Sequence, residues 1–217
     1  MALKFQELVF TPAVGEAQKH YYGSARGHLP APGNDRLTAD EIGFIAARDS
    51  FYLATINESG WPYIQHRGGP PGFLHVQGPS TLAFADYKGN RQLLSTGNLA
   101  ANDRVALFLM DYPNRTRLKI LGHGRVEDAR QHADLVAQLA TPEVQSSVER
   151  LFFIDVVSFD WNCPQHITPR YTETEIQVAV APLRQRIAEL EQELKSREAA
   201  IRSLESPDAA RKIRASE

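Results

Sequence analysis

Hydrophobic and polar residues follow two different rhythms along this chain. Through the middle the period is two. FYLATI and WPYIQH are apolar, aromatic-rich runs separated by NESG, whose Asn, Ser and Gly suit a tight turn, so residues 51–66 predict a β-hairpin. Three further strand-like runs follow, FLHVQ, TLAFAD and RVALFLMDY, punctuated by GPPG, GPS and YPN. A long strand is expected over Arg117–Glu127, and LFFIDVVSFDW is β-branched and aromatic enough for a last core strand.

Helices punctuate this pattern. Ala13–Tyr22 has helical composition within an N-terminal arm, residues 1–37, that ends in the Gly- and Pro-rich GHLPAPGNDR. Thr38 and Glu41 form a T-x-x-E capping box, which predicts a helix over Ala39–Arg48. In GNRQLLSTGNLAAND, Leu93, Leu94 and Leu99 suggest a short helix ended by Gly97 or Asn98. Residues 129–150 read as two short helices broken at Thr141 and Pro142. Six or seven strands with short turns and few helices predict a mainly β protein built on an antiparallel, closed or partly closed barrel.

From Leu183 the period becomes seven. Leu183, Ile187, Leu190, Leu194, Ile201 and Leu204 have heptad spacing, with Arg197 at the skipped position. This seam either pairs with a second copy or packs along the barrel. Three segments result: an arm at 1–37, a barrel domain at 38–171, and a heptad-patterned helix and tail at 172–217.

Composition narrows the function. The 217 residues are 42% hydrophobic with a net charge of −2, which makes a general polyanion binder and a disordered chain poor expectations. The single cysteine, Cys163, forms no internal disulfide, and no signal peptide or membrane span is legible, so a cytoplasmic location is expected. Charge is uneven: residues 61–125 carry 8 basic and 3 acidic groups. The basic ones lie mostly at strand ends and turns, where any single one is ordinarily solvated but several can converge on a small anion.

Two stretches favour convergence. In Gln65-His66-Arg67-Gly68-Gly69-Pro70-Pro71-Gly72 a polar strand end runs into glycines that admit a ligand close to the backbone. In Asp86-Tyr87-Lys88-Gly89-Asn90-Arg91-Gln92 a strand turns into a helix start, where free amides and the helix dipole favour phosphate. The chain has no dinucleotide-binding glycine fingerprint, P-loop, G-x-S-x-G elbow or H-E-x-x-H pair. Its seven histidines are scattered, and Cys163 has no evident base beside it, so neither a metal site nor a thiol nucleophile is expected.

Over residues 38–171 the order of these motifs, ending in LKILGHGRVE, resembles the pyridoxamine 5′-phosphate oxidase-like proteins, a superfamily of FMN-binding split barrels. It is particularly similar to a less characterised branch in which Q-H-R-G-G-P-P-G and D-Y-x-G-N-R-Q occur together. The resemblance implies a homodimer with FMN at the interface. By position, it assigns Gln65, His66, Arg67 and Gly68 to the ribityl chain and ring, Lys88, Asn90 and Arg91 to the phosphate, and Asn98 to a ribityl or supporting contact. Arg117 falls where the true oxidases use a glutamine from the opposite subunit. Trp161, Gln165 and His166 lie where the family brings its last strand and loop to the site.

The arginine-rich C-terminal motif of the true oxidases has no counterpart in HITPRYTETE, so vitamin B6 oxidation is not the first expectation. The expected activity is an FMN-dependent oxidoreductase with an unassigned small-molecule substrate or NAD(P)H donor and no assigned catalytic residue. A non-catalytic flavin-binding or redox-sensing dimeric module is the alternative, and a nucleotide or haem binder using the same cleft a third.

Overall fold

The structure, a computed structural model, describes residues 2–27, 29–161 and 164–204. The chain divides into two compact units, Met1–Pro169 and Arg170–Glu217. The first unit is built on seven antiparallel strands: β1 (Ser50–Ile56), β2 (Pro62–Gly68), β3 (His75–Val76), β4 (Thr81–Tyr87), β5 (Arg104–Asp111), β6 (Thr116–Asp128) and β7 (Val148–Trp161). Their order in the sheet is β2-β1-β5-β6-β7-β4-β3. Helices α1 (Leu3–Val9), α2 (Pro12–Tyr22), α3 (Ala39–Ala46), α4 (Leu94–Ala101) and α5 (Ala133–Leu139) accompany it. The second unit contains α6 (Glu173–Leu204). Among the described residues no helix is long and apolar enough to cross a membrane.

Strand patterning explains the core. β1 and β5 alternate buried and less buried residues, sending Phe51, Leu53, Leu107 and Leu109 inward. β4 is buried on both faces, which is why TLAFAD reads as continuously apolar. Leu82 and Phe84 join the main core, while Ala83 and Ala85 join a second cluster with Val136 and Leu139 of α5. The small alanines let that helix approach the sheet. At the centre Phe84 stacks on Phe152 with centroids 4.9 Å apart and meets Phe51 edge-on at 5.4 Å.

The register of β6 on β7 shifts between Leu121 and Gly122. A Cβ on Gly122 would lie 2.6 Å from the backbone oxygen of Asp155, so only glycine lets the strands approach here. Gly122→Ala is expected to cost about 1–3 kcal/mol through forced backbone movement, read as a lower midpoint in thermal or urea unfolding.

The capping box is present, and it does more than start α3. The Glu41 carboxylate accepts hydrogen bonds from the Thr38 amide (2.9 Å) and hydroxyl (2.6 Å), and its other oxygen accepts one from Trp161 Nε1 (2.5 Å). Burial alone would raise the Glu41 pKa, but the hydrogen bonds from Thr38 and Trp161 outweigh it and hold the carboxyl below its ordinary value. The unfolded chain therefore takes up this proton first. The stabilisation is fully present above the ordinary glutamate pKa of about 4.3 and is lost as pH falls through the lower folded value. Thermal unfolding of wild type and Glu41→Gln should differ most at neutral pH and converge as the pH falls below the ordinary glutamate range.

Three expectations need correction. α4 continues through Gly97 and Asn98 to Ala101, because burial of Ser95 and Leu99 and a tertiary hydrogen bond from Asn98 override the local stop signal. Of FLHVQ only His75–Val76 forms a strand. Residues 148–150, read as the end of a helical region, open β7 instead. α1 was not anticipated; its Phe5 is buried and lies under the Lys119 ammonium, 4.7 Å from the ring centroid.

Candidate functional site

The two edge strands of the sheet, β2 and β3, do not pair with each other. β2 alternates: Tyr63, Gln65 and Arg67 are half-buried, whereas Ile64, His66 and Gly68 are exposed on the opposite face. The Arg67 guanidinium crosses to the Asp86 carboxylate at the end of β4, so an ion pair spans the split that backbone hydrogen bonds leave open. Asp86 also accepts from Nε of Arg150, 2.7 Å away, which its β4–β7 register places directly opposite. One carboxylate thus holds two guanidiniums. Arg67 lies over the rings of Phe152 (5.0 Å) and Phe84 (5.5 Å), fixing its plane against the core.

Above this triad is a cavity of about 220 Å³. Tyr63, Gln65, Arg67 and Arg150 form one side, and the turn from Tyr87 to Leu93 with the start of α4 forms the other. Arg91 and Leu93 both adopt left-handed backbone conformations, φ 63° and 53°, which curl the turn around the cavity. Leu93 is also the N-cap of α4 and supplies no side-chain cap, so the first-turn amides of Leu94, Ser95 and Thr96 have no partner from the cap and sit beside the cavity. The helix is pinned by hydrogen bonds from Ser95 to Gln65 (2.8 Å) and from Asn98 to Thr55 (2.9 Å). Among the lining residues Arg67, Arg91 and Arg150 against Asp86 leave two positive charges. The Nε of Arg67 is buried and has no hydrogen-bond partner among the described residues.

The sequence profile of the pyridoxamine 5′-phosphate oxidase family matches residues 40–152, slightly more than half of the chain. The chain belongs to that family. The match begins at α3 and ends in β7, so it takes in both walls of the cavity. No curated protein sequence matches. Solved structures with similar folds include a candidate pyridoxamine 5′-phosphate oxidase from Lactobacillus delbrueckii, 22% identical, covering 58% of this chain and 93% of that one at a TM-score of 0.45. An FMN-binding protein from Syntrophomonas wolfei is 11% identical, covering 55% and 81% at 0.39. HutZ, the haem storage protein of Vibrio cholerae, is 15% identical, covering 56% and 90% at 0.39.

Within this member of the oxidase family, the candidates read from sequence separate into groups. Gln65, Arg67, Asn90 and Arg91 line one cavity. Lys88 adjoins it through its backbone, its amide bonded to the Ser147 carbonyl at 2.8 Å, while its side chain is not among the lining groups. Asn98 supports α4 from behind. His66 meets Tyr52 edge-on (5.6 Å) on the other face of β2, and Gly68 follows it there. Arg117 lies over Phe108 on the sheet, 5.6 Å from the ring centroid. Trp161 is bound to Glu41 and meets Phe44 edge-on at 4.8 Å. Gln165 and His166 form an exposed turn, with His166 at φ 63°. None of these last six lines the cavity. Asn162 and Cys163 lie outside the described residues.

Tyr63, Asp86, Ser95, Thr96 and Arg150 also line the cavity, and the resemblance assigns none of them a ligand contact. The available signal for Arg150 is that it is the one basic residue of β7, next to Glu149 at the head of the apolar run LFFI. Gly69 has a different role from the one expected: its missing Cβ makes room for Phe73, whose Cγ would lie 2.7 Å away.

Proposed function

We propose that the cavity binds the phosphate end of FMN and that the protein is an FMN-dependent oxidoreductase of unassigned substrate. The observation that carries this reading is the excess of two positive charges on the cavity lining together with the first-turn amides of α4, which have no side-chain cap. A phosphate monoester brings about −1.5 to −2 charge and three acceptor oxygens, which suits both the charge and the donors. Arg67, Arg91, Arg150 and the first-turn amides would hold it; Gln65 and Asn90 offer polar contacts to the adjoining chain of hydroxyls. When bound, FMN supplies hydride or electron transfer, and the protein orients it and excludes water.

The cavity's roughly 220 Å³ is smaller than the ~300–1,000 Å³ typical of whole-ligand sites. It suits a phosphate and its neighbouring carbons, so the isoalloxazine ring lies beyond it. That supports completion of the site by a second copy, as the family resemblance implies. The outer sheet face offers a mostly apolar surface for it, a groove of about 630 Å³ lined by Phe5, Tyr52, Ile64, Phe108 and Leu121. In that arrangement His66 and Arg117 belong to the interface. A cytoplasmic setting is part of the same proposal.

The test is an absorbance spectrum of the purified protein with mass identification of whatever heat releases. Flavin bands and the mass of FMN are expected. A Soret band would instead support haem, and colourless protein that takes up no FMN at micromolar concentrations would overturn the assignment. Steady-state reduction by NADH or NADPH then separates an enzyme from a flavin-storing or redox-sensing module.

A further inference from the structure

α6 exposes a row of large apolar side chains: Leu183 at 66%, Ile187 at 56%, Leu190 at 47%, Leu194 at 58% and Ile201 at 54%. Because the helix starts at Glu173, the row extends back through Val180 to Ile176. The seam is then 176, 180, 183, 187, 190, 194, 197 and 201, an unbroken alternation of four and three. Val180, Ile187, Leu194 and Ile201 take the a positions; Ile176, Leu183, Leu190 and Arg197 take d. Pro182 falls at c, turned away from the seam.

We propose that α6 pairs antiparallel with α6 of a second copy, about a two-fold axis midway between Ile187 and Leu190. The flanking charges choose both orientation and register. Arg184 and Glu191 occupy e positions; Arg186 and Glu193 occupy g. An antiparallel pair sets e against e and g against g. With Ile187 level with the partner's Leu190, Arg184 lies two residues, about 3 Å along the axis, from the partner's Glu191. Arg186 lies at the same offset from the partner's Glu193. The two-fold repeats both contacts, giving four attractive pairs with no like charges opposed. The core layers match as well: Ile176 with the partner's Ile201, Leu183 with the partner's Leu194, and Val180 with the stem of the partner's Arg197.

Alternatives oppose like charges. Sliding one heptad toward the C-terminus sets Glu191 on the partner's Glu191 and Glu193 on the partner's Glu193; sliding the other way opposes the arginines. A parallel pair sets Glu193 against the partner's Glu198 and buries Arg197 against its own copy. The existing contact of Arg186 with Glu189 (3.1 Å) is an exposed pair, cheap to exchange.

The test uses full-length protein with Cys163→Ser and single nitroxide labels at outward f positions, Gln192→Cys or Val178→Cys. Electron–electron distance measurements should give a short separation at 192, with an axial offset of about 10 Å, and a long one at 178, with about 31 Å. Arg184→Glu with Arg186→Glu should lose the short distance, as should Glu191→Arg with Glu193→Arg, and an equimolar mixture of the two should regain it. Equal short distances at both labels would overturn the orientation. No defined distance at either would overturn the pairing, and retention in each charge variant alone would overturn the register.

Discussion

Asp86→Asn is expected to destabilise the ligand-free protein by about 3–5 kcal/mol, because it leaves the largely buried Arg67 guanidinium without a carboxylate partner among the described residues and the neighbouring Arg150 with Glu149 alone. The residue is 9% exposed and is the ion-pair partner of both Arg67 and Arg150; among the described residues the one other carboxylate paired with either arginine is Glu149, beside Arg150. For a chain of this size the loss corresponds to a fall in melting temperature of roughly 6–20 °C. The proposed ligand reverses the sign of the effect on binding. Removing the carboxylate raises the excess positive charge of the cavity from two to three, so FMN should raise the melting temperature of Asp86→Asn by more than it raises that of wild type. Differential scanning with and without FMN measures both. An unchanged midpoint without ligand would mean that the triad does not hold the barrel's split together.

Combining Arg67→Gln with Arg91→Asn should weaken FMN binding by about 10²–10⁴-fold, taking each charge-assisted contact at about 1.5–3 kcal/mol. Asparagine is chosen at 91 because it tolerates the left-handed backbone there, so the substitution removes charge without reshaping the turn. Lys88→Ala should have a smaller effect, since its side chain is not among those lining the cavity. Flavin fluorescence titration reads both variants against wild type, with circular dichroism to establish that they are folded. Affinities equal to wild type would remove the phosphate from this pocket.

The cavity lining separates residues legible from sequence from those that are not. Arg67 and Arg91 were legible because each stands in a short polar turn or strand end, where composition alone marks a place for an anion. Arg150 was not. It joins the site only through the β4–β7 register, which sets it opposite Asp86 across 64 residues of chain. His66 illustrates the converse: it adjoins Gln65 and Arg67 in sequence, but the two-residue period of a strand sends it to the other face. Trp161, which the resemblance places near the ligand, hydrogen-bonds through its indole to the buried Glu41, a residue legible in sequence only as half of a capping box.

What the sequence determined by itself is therefore local in origin: the strand alternation, the Thr38–Glu41 cap, the turn at residues 86–92, and the heptad seam of α6. Each depends on residues within a turn or two of one another, whose steric and hydrogen-bonding preferences act whatever the rest of the chain does. The tertiary structure alone decided that α4 runs past Gly97, that one carboxylate binds two arginines, and that Gly122 admits no side chain. Those outcomes depend on which distant strands meet, and in what register, because burial and charge pairing are properties of the packed neighbours a residue acquires on folding.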